Sequence, residues 1–325
     1  MMTKRRSFNS PNVPKPYDFV PFVQPVSTPT VGHETIRGQG FNTGSLTYQI
    51  EVLSPLFISG GSYLLTDSHK DPVVRDFYRV NGQPTIPGSS LKGVVRSVIE
   101  AISPSCVTTT RLDLRLLPHR SHCQADKACP ACSMFGRMSR MSKLTFIDAG
   151  LARGNLKRHR LPALYGPRAH QAPKTYQDKG EYKGRKFYFH GNPSEDDRQP
   201  PVEVAPPQSL FRSEFQFENL SDAELGLFFV ALGLDTTFTL KMGGGKPTCL
   251  GSIRIQPGTL TLITTDDFLQ AEAQTTPLSA EAMVEAMVEK IRVAYRKKLI
   301  LRLQLEKLRE IWHFPNDRNC PEGMY

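Results

Sequence analysis

Two segments with helical apolar spacing, each lying between strand-like segments, constrain the fold more than any other feature of the sequence. In the first, six residues predict a helix from about 89 to 103: Leu91, Val94, Val95, Val98, Ile99 and Ile102. Pro104 is expected to end it. In the second, SDAELGLFFVALGL, Ser221 and Glu224 have the spacing of an N-terminal capping box.

Strand patterns flank both helices. Residues 45–59 alternate apolar and polar side chains, and residues 142–152 and 209–220 also indicate strands. GSIRIQPGTLTLI (251–263) predicts two further strands, and PVVRDFYRV (72–80) predicts a short strand before an Asn-Gly turn. Strand, helix, strand, repeated once, is the order of a ferredoxin-like α+β sheet.

The remaining segments suggest how the chain is organised. Residues 1–44 are rich in Pro, Ser, Thr and Asn and predict an arm that becomes ordered on a partner. One domain is expected over 45–265, with insertions at 106–140 and 153–205. The second insertion is rich in Arg, Lys, His, Pro and Gly, and it is too long for an ordinary connection. Residues 266–325 predict a C-terminal extension that contains one long amphipathic helix or a helical hairpin.

Charge and hydropathy narrow the class of partner. The chain has 41 Lys and Arg against 31 Asp and Glu, a formal charge of +10. This excess favours a polyanion, either nucleic acid or an acidic membrane. No apolar run approaches the roughly 20 residues of a membrane span, and the basic N-terminus lacks the apolar core of a signal peptide. We therefore expect a cytoplasmic protein with no membrane association.

A cysteine-rich segment, HRSHCQADKACPACSMFGRMSR (119–140), predicts a structural zinc site. Four cysteines form the expected ligand set: Cys106, Cys123, Cys129 and Cys132. His122 or His119 is the alternative fourth ligand, and small buried residues without metal are the alternative to a site. A deaminase zinc motif is not expected because Ala128 occupies the position of its proline. A redox pair is disfavoured because no strand leads into a thioredoxin-like helix here.

A glycine-rich segment, KMGGGKPTCLGSIRI, resembles a phosphate-binding turn. Backbone N–H groups and an ammonium group are available from four residues: Gly243, Gly244, Gly245 and Lys246. A plain hairpin turn would show the same residues. The Walker pattern fails because Pro247 replaces its Ser or Thr, and the dinucleotide fingerprint fails at Thr248. Nucleotide hydrolysis is therefore not expected.

Five segments in a fixed order carry a resemblance to a known family: IPGSSLKGVVRS, CPACSMFG, LTFIDAGL, GRKFYFH and KMGGGKPTCLGSIRI. Together they resemble the RAMP superfamily and, within it, the backbone subunits of type III CRISPR effector complexes of the Csm/Cmr type. The resemblance covers roughly residues 46–256. It implies an RRM-like core flanked by insertions, in a subunit that lines up with other effector subunits along a CRISPR RNA. Such a subunit presents the CRISPR RNA to complementary target RNA.

The resemblance also implies where RNA would be bound. The turn that opens the first helix would contact phosphates through four residues: Ser89, Ser90, Lys92 and Arg96. For Lys92 and Arg96 the alternative is a solvated helix face. The glycine-rich segment would contribute Gly243, Gly244, Gly245 and Lys246, and the basic insertion would contribute Arg185 and Lys186. This insertion interleaves basic and aromatic residues and would act as a thumb against the guide–target duplex.

Related backbone subunits often cleave target RNA with an aspartate in the loop before the first helix, helped by a divalent ion such as Mg²⁺ or Mn²⁺. When the chain is aligned on Pro72, Lys70 stands at the aspartate position and Asp71 follows one place later. Asp71 is the first catalytic candidate and Asp67 the second, whereas Asp76 lies in a predicted strand and is expected to be structural.

Three functions remain open from the sequence. The first is a guide-binding subunit that also cuts target RNA, and the second is the same subunit without nuclease activity. The third is a guide-processing endoribonuclease of the same superfamily, which would use His or Tyr without a metal ion. The zinc segment and the FIDA strand argue against the third.

Overall fold

The computed structural model of the protein describes residues 15–29, 41–107, 113–118, 123, 127–138, 140–163, 173–196, 199–263 and 277–320. Its strands are β1 (Tyr17–Val20), β2 (Thr28–Pro29), β3 (Phe41–Val52), β4 (Ser59–Leu65), β5 (Val73–Phe77), β6 (Arg79–Val80), β7 (Gln83–Ile86), β8 (Lys127–Ala128), β9 (Leu144–Phe146), β10 (Ala149–Arg153), β11 (Lys157–Arg160), β12 (Gln177–Asp178), β13 (Glu181–Tyr182), β14 (Arg185–Tyr188), β15 (Pro201–Val204), β16 (Leu210–Ser221), β17 (Leu240–Lys241) and β18 (Ser252–Ile263). Its helices are α1 (Gly88–Ile102), α2 (Pro130–Phe135), α3 (Pro173–Tyr176), α4 (Asp222–Ala231), α5 (Ala280–Arg296) and α6 (Arg302–Ile311). No helix in these ranges is long and apolar enough to cross a membrane.

An eight-stranded antiparallel sheet lies at the centre of the fold. Seven strands follow the order β17-β18-β3-β16-β10-β7-β6, and β9 pairs with β16. The alternation predicted for β3 is observed, because Leu46, Tyr48 and Ile50 are all buried. Tyr48 stacks on Phe215 of β16 with ring centroids 3.9 Å apart. The predicted mixed α+β class is confirmed.

Helix α1 follows the sequence prediction to within one residue at each end, since it begins at Gly88 and ends at Ile102. A Cβ atom on Gly88 would lie 1.9 Å from the carbonyl oxygen of Phe146, so only glycine fits where the helix approaches β9. The apolar face is buried, with Val95 and Val98 fully covered.

Helix α4 has the predicted capping box. The Ser221 hydroxyl accepts from the backbone N–H of Glu224 at 3.3 Å, and the Glu224 carboxylate accepts from the backbone N–H of Ser221 at 2.9 Å. Glu224 also pairs with the buried Lys143 at 3.4 Å. The cap is therefore tied to the segment that leads into β9.

Two strand predictions need correction. The segment 251–263 is one strand, β18, and not two, because β3 is long enough to pair along its whole length. Pro257 interrupts the register without ending the strand, and the N–H of Thr259 is satisfied by the hydroxyl of Thr47 at 2.7 Å. Strand β3 begins at Phe41, four residues earlier than predicted, and ends at Val52.

Much of the described part of the basic insertion packs into the protein. Strands β11 and β15 join β5 and β4 in a four-stranded sheet, and Val202 and Val204 are buried there. Strand β14 pairs with β1, which belongs to the segment predicted as an arm and contains the buried Val20. The segment predicted as one long helix or a helical hairpin forms two separate helices, α5 and α6, which pack mainly on α4 and α1 respectively.

Candidate nucleic-acid interface

A cleft of about 550 Å³ lies where the N-terminus of α1, the loop after β17 and strand β14 meet. Six of the ten residues predicted to contact RNA line it: Ser89, Ser90, Gly243, Gly244, Lys246 and Lys186. These residues come from three segments that are far apart in the chain. The fold therefore brings the helix-opening turn, the glycine-rich loop and the basic insertion to one place.

The start of α1 is suited to an anion. Its N-cap residue, Pro87, provides no side-chain cap, and the first turn contains no acidic residue. The N–H of Gly88 donates to the Asp148 carboxylate at 2.8 Å, and the N–H of Ser90 donates to the carbonyl oxygen of Pro87 at 2.9 Å. Ser89 is exposed beside the cleft. The partial positive charge of the helix N-terminus, together with this hydroxyl, favours a phosphate at this position.

The glycine-rich loop is fixed against the segment before β4. Gly243 has φ +80°, and a Cβ atom there would lie 2.4 Å from the carbonyl oxygen of Phe57. The N–H of Gly244 donates to the same oxygen at 2.8 Å, so it is engaged within the protein. Gly245 lies against Leu161 and Leu250 and does not line the cleft. The loop therefore contributes to the cleft chiefly the shape of its wall and the side chain of Lys246.

Three lysines face the cleft and no Asp or Glu does, among the described residues that line it. Lys241 is 2% exposed, and its Nζ has no hydrogen-bond partner in the described chain. Burial and the charge of Lys246 lower the pKa of Lys241 to about 7. Burial and the charge of Lys186 likewise lower the pKa of Lys246. Within the part of the chain that the structure describes, the cleft is therefore lined by basic groups and lacks an acidic counter-ion.

Lys186 is held in place by aromatic rings. Its Nζ lies 4.6 Å from the ring centroid of Tyr17, 5.5 Å from that of Tyr176 and 4.7 Å from that of Tyr188. It also donates to the Tyr188 hydroxyl at 2.9 Å. These cation–π contacts fix the ammonium at the mouth of the cleft.

The other predicted basic contacts lie outside the cleft. Arg96 pairs with Glu100 at 2.8 Å, and Arg185 pairs with the second oxygen of the same carboxylate. The Glu100 side chain is 2% exposed, so the two arginines compensate a buried charge. Burial and the charge of Arg96 lower the pKa of Lys92, which does not line the cleft either.

The first catalytic candidate is enclosed by arginines. Asp71 pairs with Arg160, and Arg158 lies 3.8 Å from its other oxygen. Its side chain is only 14% exposed. Asp67, at the tip of the β4–β5 hairpin, is exposed. Asp76 accepts from the N–H of Ser62 at 3.1 Å, which agrees with the structural role expected for it.

Four cysteines form a cluster that can hold a metal ion such as zinc. The Sγ atoms of Cys106, Cys123, Cys129 and Cys132 all lie within 4.8 Å of one another. Cys106 Sγ is 3.7 Å from that of Cys123 and 3.5 Å from those of Cys129 and Cys132. Tetrahedral zinc with Zn–S bonds of about 2.3 Å requires sulfur atoms about 3.8 Å apart, so this donor set fits zinc. His122 and His119 lie outside the described residues.

The sequence interpretation missed Lys241 and Trp312, which also line the cleft, whereas Tyr188 is one of the aromatic residues that it placed in the basic insertion. A lysine between Leu240 and Met242 in an otherwise apolar segment was the available signal for Lys241. It also missed the disulfide that joins Cys249, just after the glycine-rich loop, to Cys320. No signal within either segment indicated that they pair.

Comparison with known protein families gives one match. The sequence profile of the RAMP superfamily matches residues 49–254. This range contains the end of β3, the α1 turn, the cysteine cluster, strand β14 and the glycine-rich loop. No curated protein matches the chain. Because the matched range is well over half of its length, the chain belongs to the RAMP superfamily.

Proposed function

We propose that this chain is a CRISPR RNA-binding backbone subunit of a type III effector complex, and that it holds the guide in the cleft. One observation carries the proposal: three separate segments form a cleft that contains three lysines and, among its described lining, no carboxylate. Membership of the RAMP superfamily suggests a CRISPR-associated role in nucleic-acid binding. The partners would be the CRISPR RNA, target RNA and neighbouring effector subunits.

The sheet supports this proposal through its topology. Strands β18, β3, β16 and β10 are adjacent in that order, with α1 and α4 on the two connections between them. This order supports the proposal of a ferredoxin-like, RRM-like core. The polar groups that line the cleft include lysines and hydroxyls, which suit the sugar–phosphate chain. Sequence would then be read by pairing of the guide with its target.

Salt-dependent RNA binding tests the proposal. We expect single-stranded RNA to bind with an affinity that falls as salt rises, and fluorescence anisotropy measures this. Replacing Lys246 with Gln should lower the slope of log K against log salt by about 0.7, the value for one lost phosphate contact on a single strand. Lys290→Gln is the matched control, because Lys290 pairs with Asp222 outside the cleft. Equal slopes for Lys246→Gln and wild type would exclude the cleft as the RNA site.

Cleavage of target RNA is the second candidate function, and the exposed Asp67 is the observation that favours it. We infer that Asp71 instead holds the hairpin loop through Arg160. Target RNA would be incubated with the assembled complex in Mg²⁺ or Mn²⁺. If the subunit cuts, Asp67→Ala should abolish the cuts and Asp71→Ala should preserve them. The reverse result would restore Asp71 as the catalytic residue, and absence of cuts in the wild type would leave a subunit without nuclease activity.

A metal-free guide-processing enzyme receives less support. His190 lies near the cleft but is fully buried, and its Nδ1 is 2.7 Å from the hydroxyl of Ser252. Burial and the charge of Lys241 lower its pKa to about 3. This histidine would therefore stay neutral at physiological pH and could not serve as a general acid. Cutting of a repeat hairpin in the presence of chelator would contradict this argument.

A further inference from the structure

The floor of the cleft contains a buried lysine that has no counter-ion among the described residues. Lys241 lies in β17 opposite Ser252 of β18, and its Nζ is enclosed without a hydrogen-bond partner in the described chain. A buried ammonium without a partner is unfavourable by several kcal/mol, so such a group either loses its proton or binds an anion. Its position in the cleft makes a ligand the natural counter-ion.

The surroundings of Lys241 select an anion. Titratable groups that face it from neighbouring elements are Lys246 of the glycine-rich loop, Lys186 and Tyr188 of β14, and His190, which stays neutral. His313, in the segment after α6, also lowers the pKa of His190 through its charge. None of these groups is a carboxylate. The only compensation available in this part of the described chain is therefore a ligand that brings negative charge.

We propose that Lys241 anchors one phosphate group of the bound RNA and takes up a proton from solution as the RNA binds, an inference that rests on the proposed function. In the free protein the group is largely neutral above neutral pH, because protonation would bury an uncompensated charge next to Lys246. A phosphate placed between Lys241 and Lys246 would remove this penalty and favour the ammonium form. Binding and protonation of Lys241 are then linked.

The linkage predicts a specific dependence of RNA affinity on pH. Below about pH 7 Lys241 is already protonated, so the Kd should not vary through this group. Above that pH a proton must be added for each RNA bound, so the Kd should rise up to about tenfold for each pH unit. Replacing Lys241 with Met should weaken binding and remove this slope.

The test uses the full chain and a single-stranded RNA of A and C only, because those bases do not titrate between neutral pH and about pH 9. Anisotropy at constant ionic strength gives the Kd at each pH for wild type, Lys241→Met and the control Lys290→Met. Calorimetry in two buffers with different ionisation enthalpies then counts protons. We expect uptake of about one proton near pH 8 for wild type and for Lys290→Met, and none for Lys241→Met.

The outcomes separate this inference from the proposed function. A slope that is present in wild type and absent from Lys241→Met supports the inference. The inference would be overturned if wild type bound RNA with a Kd that does not depend on pH, or if the pH dependence of the Kd persisted in Lys241→Met. Neither result would contradict RNA binding in the cleft. Failure of the wild type to bind RNA at any pH would contradict the proposed function and this inference together.

Discussion

Replacing Lys241 with methionine should make the free protein more stable at neutral pH. Lys241 is 2% exposed and unpartnered in the described chain, and methionine fills similar space without a charge. Lys143 provides the matched contrast, since it is equally buried but pairs with Glu224 at 3.4 Å. Lys143→Met should lower the free energy of unfolding by about 3 kcal/mol, because it leaves a buried carboxylate without its cation.

The magnitude follows from the lowered pKa. Folding takes Lys241 from a pKa of 10.5 to about 7, which corresponds to roughly 5 kcal/mol of destabilisation where the group is protonated in both states. Below about pH 7 the charged Lys241 lowers the free energy of unfolding by this full amount. The destabilisation decreases as the pH rises from 7 towards 10.5, and it vanishes above that. After allowance for local relaxation, we expect the free energy of unfolding of Lys241→Met to exceed that of the wild type by about 2–4 kcal/mol at pH 7. The difference should be smaller at pH 9.

Urea denaturation of wild type and both variants at about pH 6.5, 7.5 and 9 measures these differences. The extra stability of Lys241→Met relative to wild type should decrease as pH rises. The lower stability of Lys143→Met should persist through this range. A Lys241→Met variant as destabilised as Lys143→Met, or an advantage that does not change with pH, would refute the view that Lys241 is a buried, uncompensated base.

Three further predictions follow from the same structure. Gly88→Ala should lose about 2–3 kcal/mol of stability and most RNA affinity, because its Cβ atom would clash with a backbone carbonyl. Gly93→Ala adds its Cβ atom to open space and should stabilise α1. Equal stability of the two variants would contradict this prediction. Elemental analysis should find one zinc per chain, and Cys132→Ser should remove it and lower the Tm; a folded, zinc-free wild type would exclude the metal site. Asp71→Asn should cost about 1–2 kcal/mol in urea denaturation by leaving Arg160 without its carboxylate, and an unchanged midpoint would refute the anchoring role.

The parts of the fold that were predictable depend on local patterns. Helix α1 is specified by apolar spacing and by the Pro-Gly turn before it, and α4 by a capping box whose two partners lie three residues apart. The cysteine cluster was also accessible, because the spacing of Cys129 and Cys132 matches the geometry of a metal site. In the two helices and in the Cys129–Cys132 pair, the residues that interact are close in the chain.

The parts that were not predictable depend on contacts between distant residues. Arg185 and Glu100 are 85 residues apart, so no local pattern showed that this arginine would compensate a buried carboxylate and lie outside the RNA cleft. Asp71 and Arg160 are 89 residues apart. The absence of a described partner for Lys241 was not predictable for the same reason, because it depends on which residues of β14 and β18 lie around it. The segment 251–263 was predicted as two strands, but pairing with the distant β3 makes it one strand with a register shift.

The central claim is that RNA lies between the start of α1 and the glycine-rich loop. Photo-crosslinking of a guide RNA containing 4-thiouridine to the purified complex, followed by mapping of the crosslinked peptides by mass spectrometry, tests this most directly. We expect crosslinks on peptides that contain Ser89, Lys186 and Lys246, all of which line the cleft. Crosslinks confined to other surfaces, such as α5 and α6, with these three peptides unmodified, would contradict the claim.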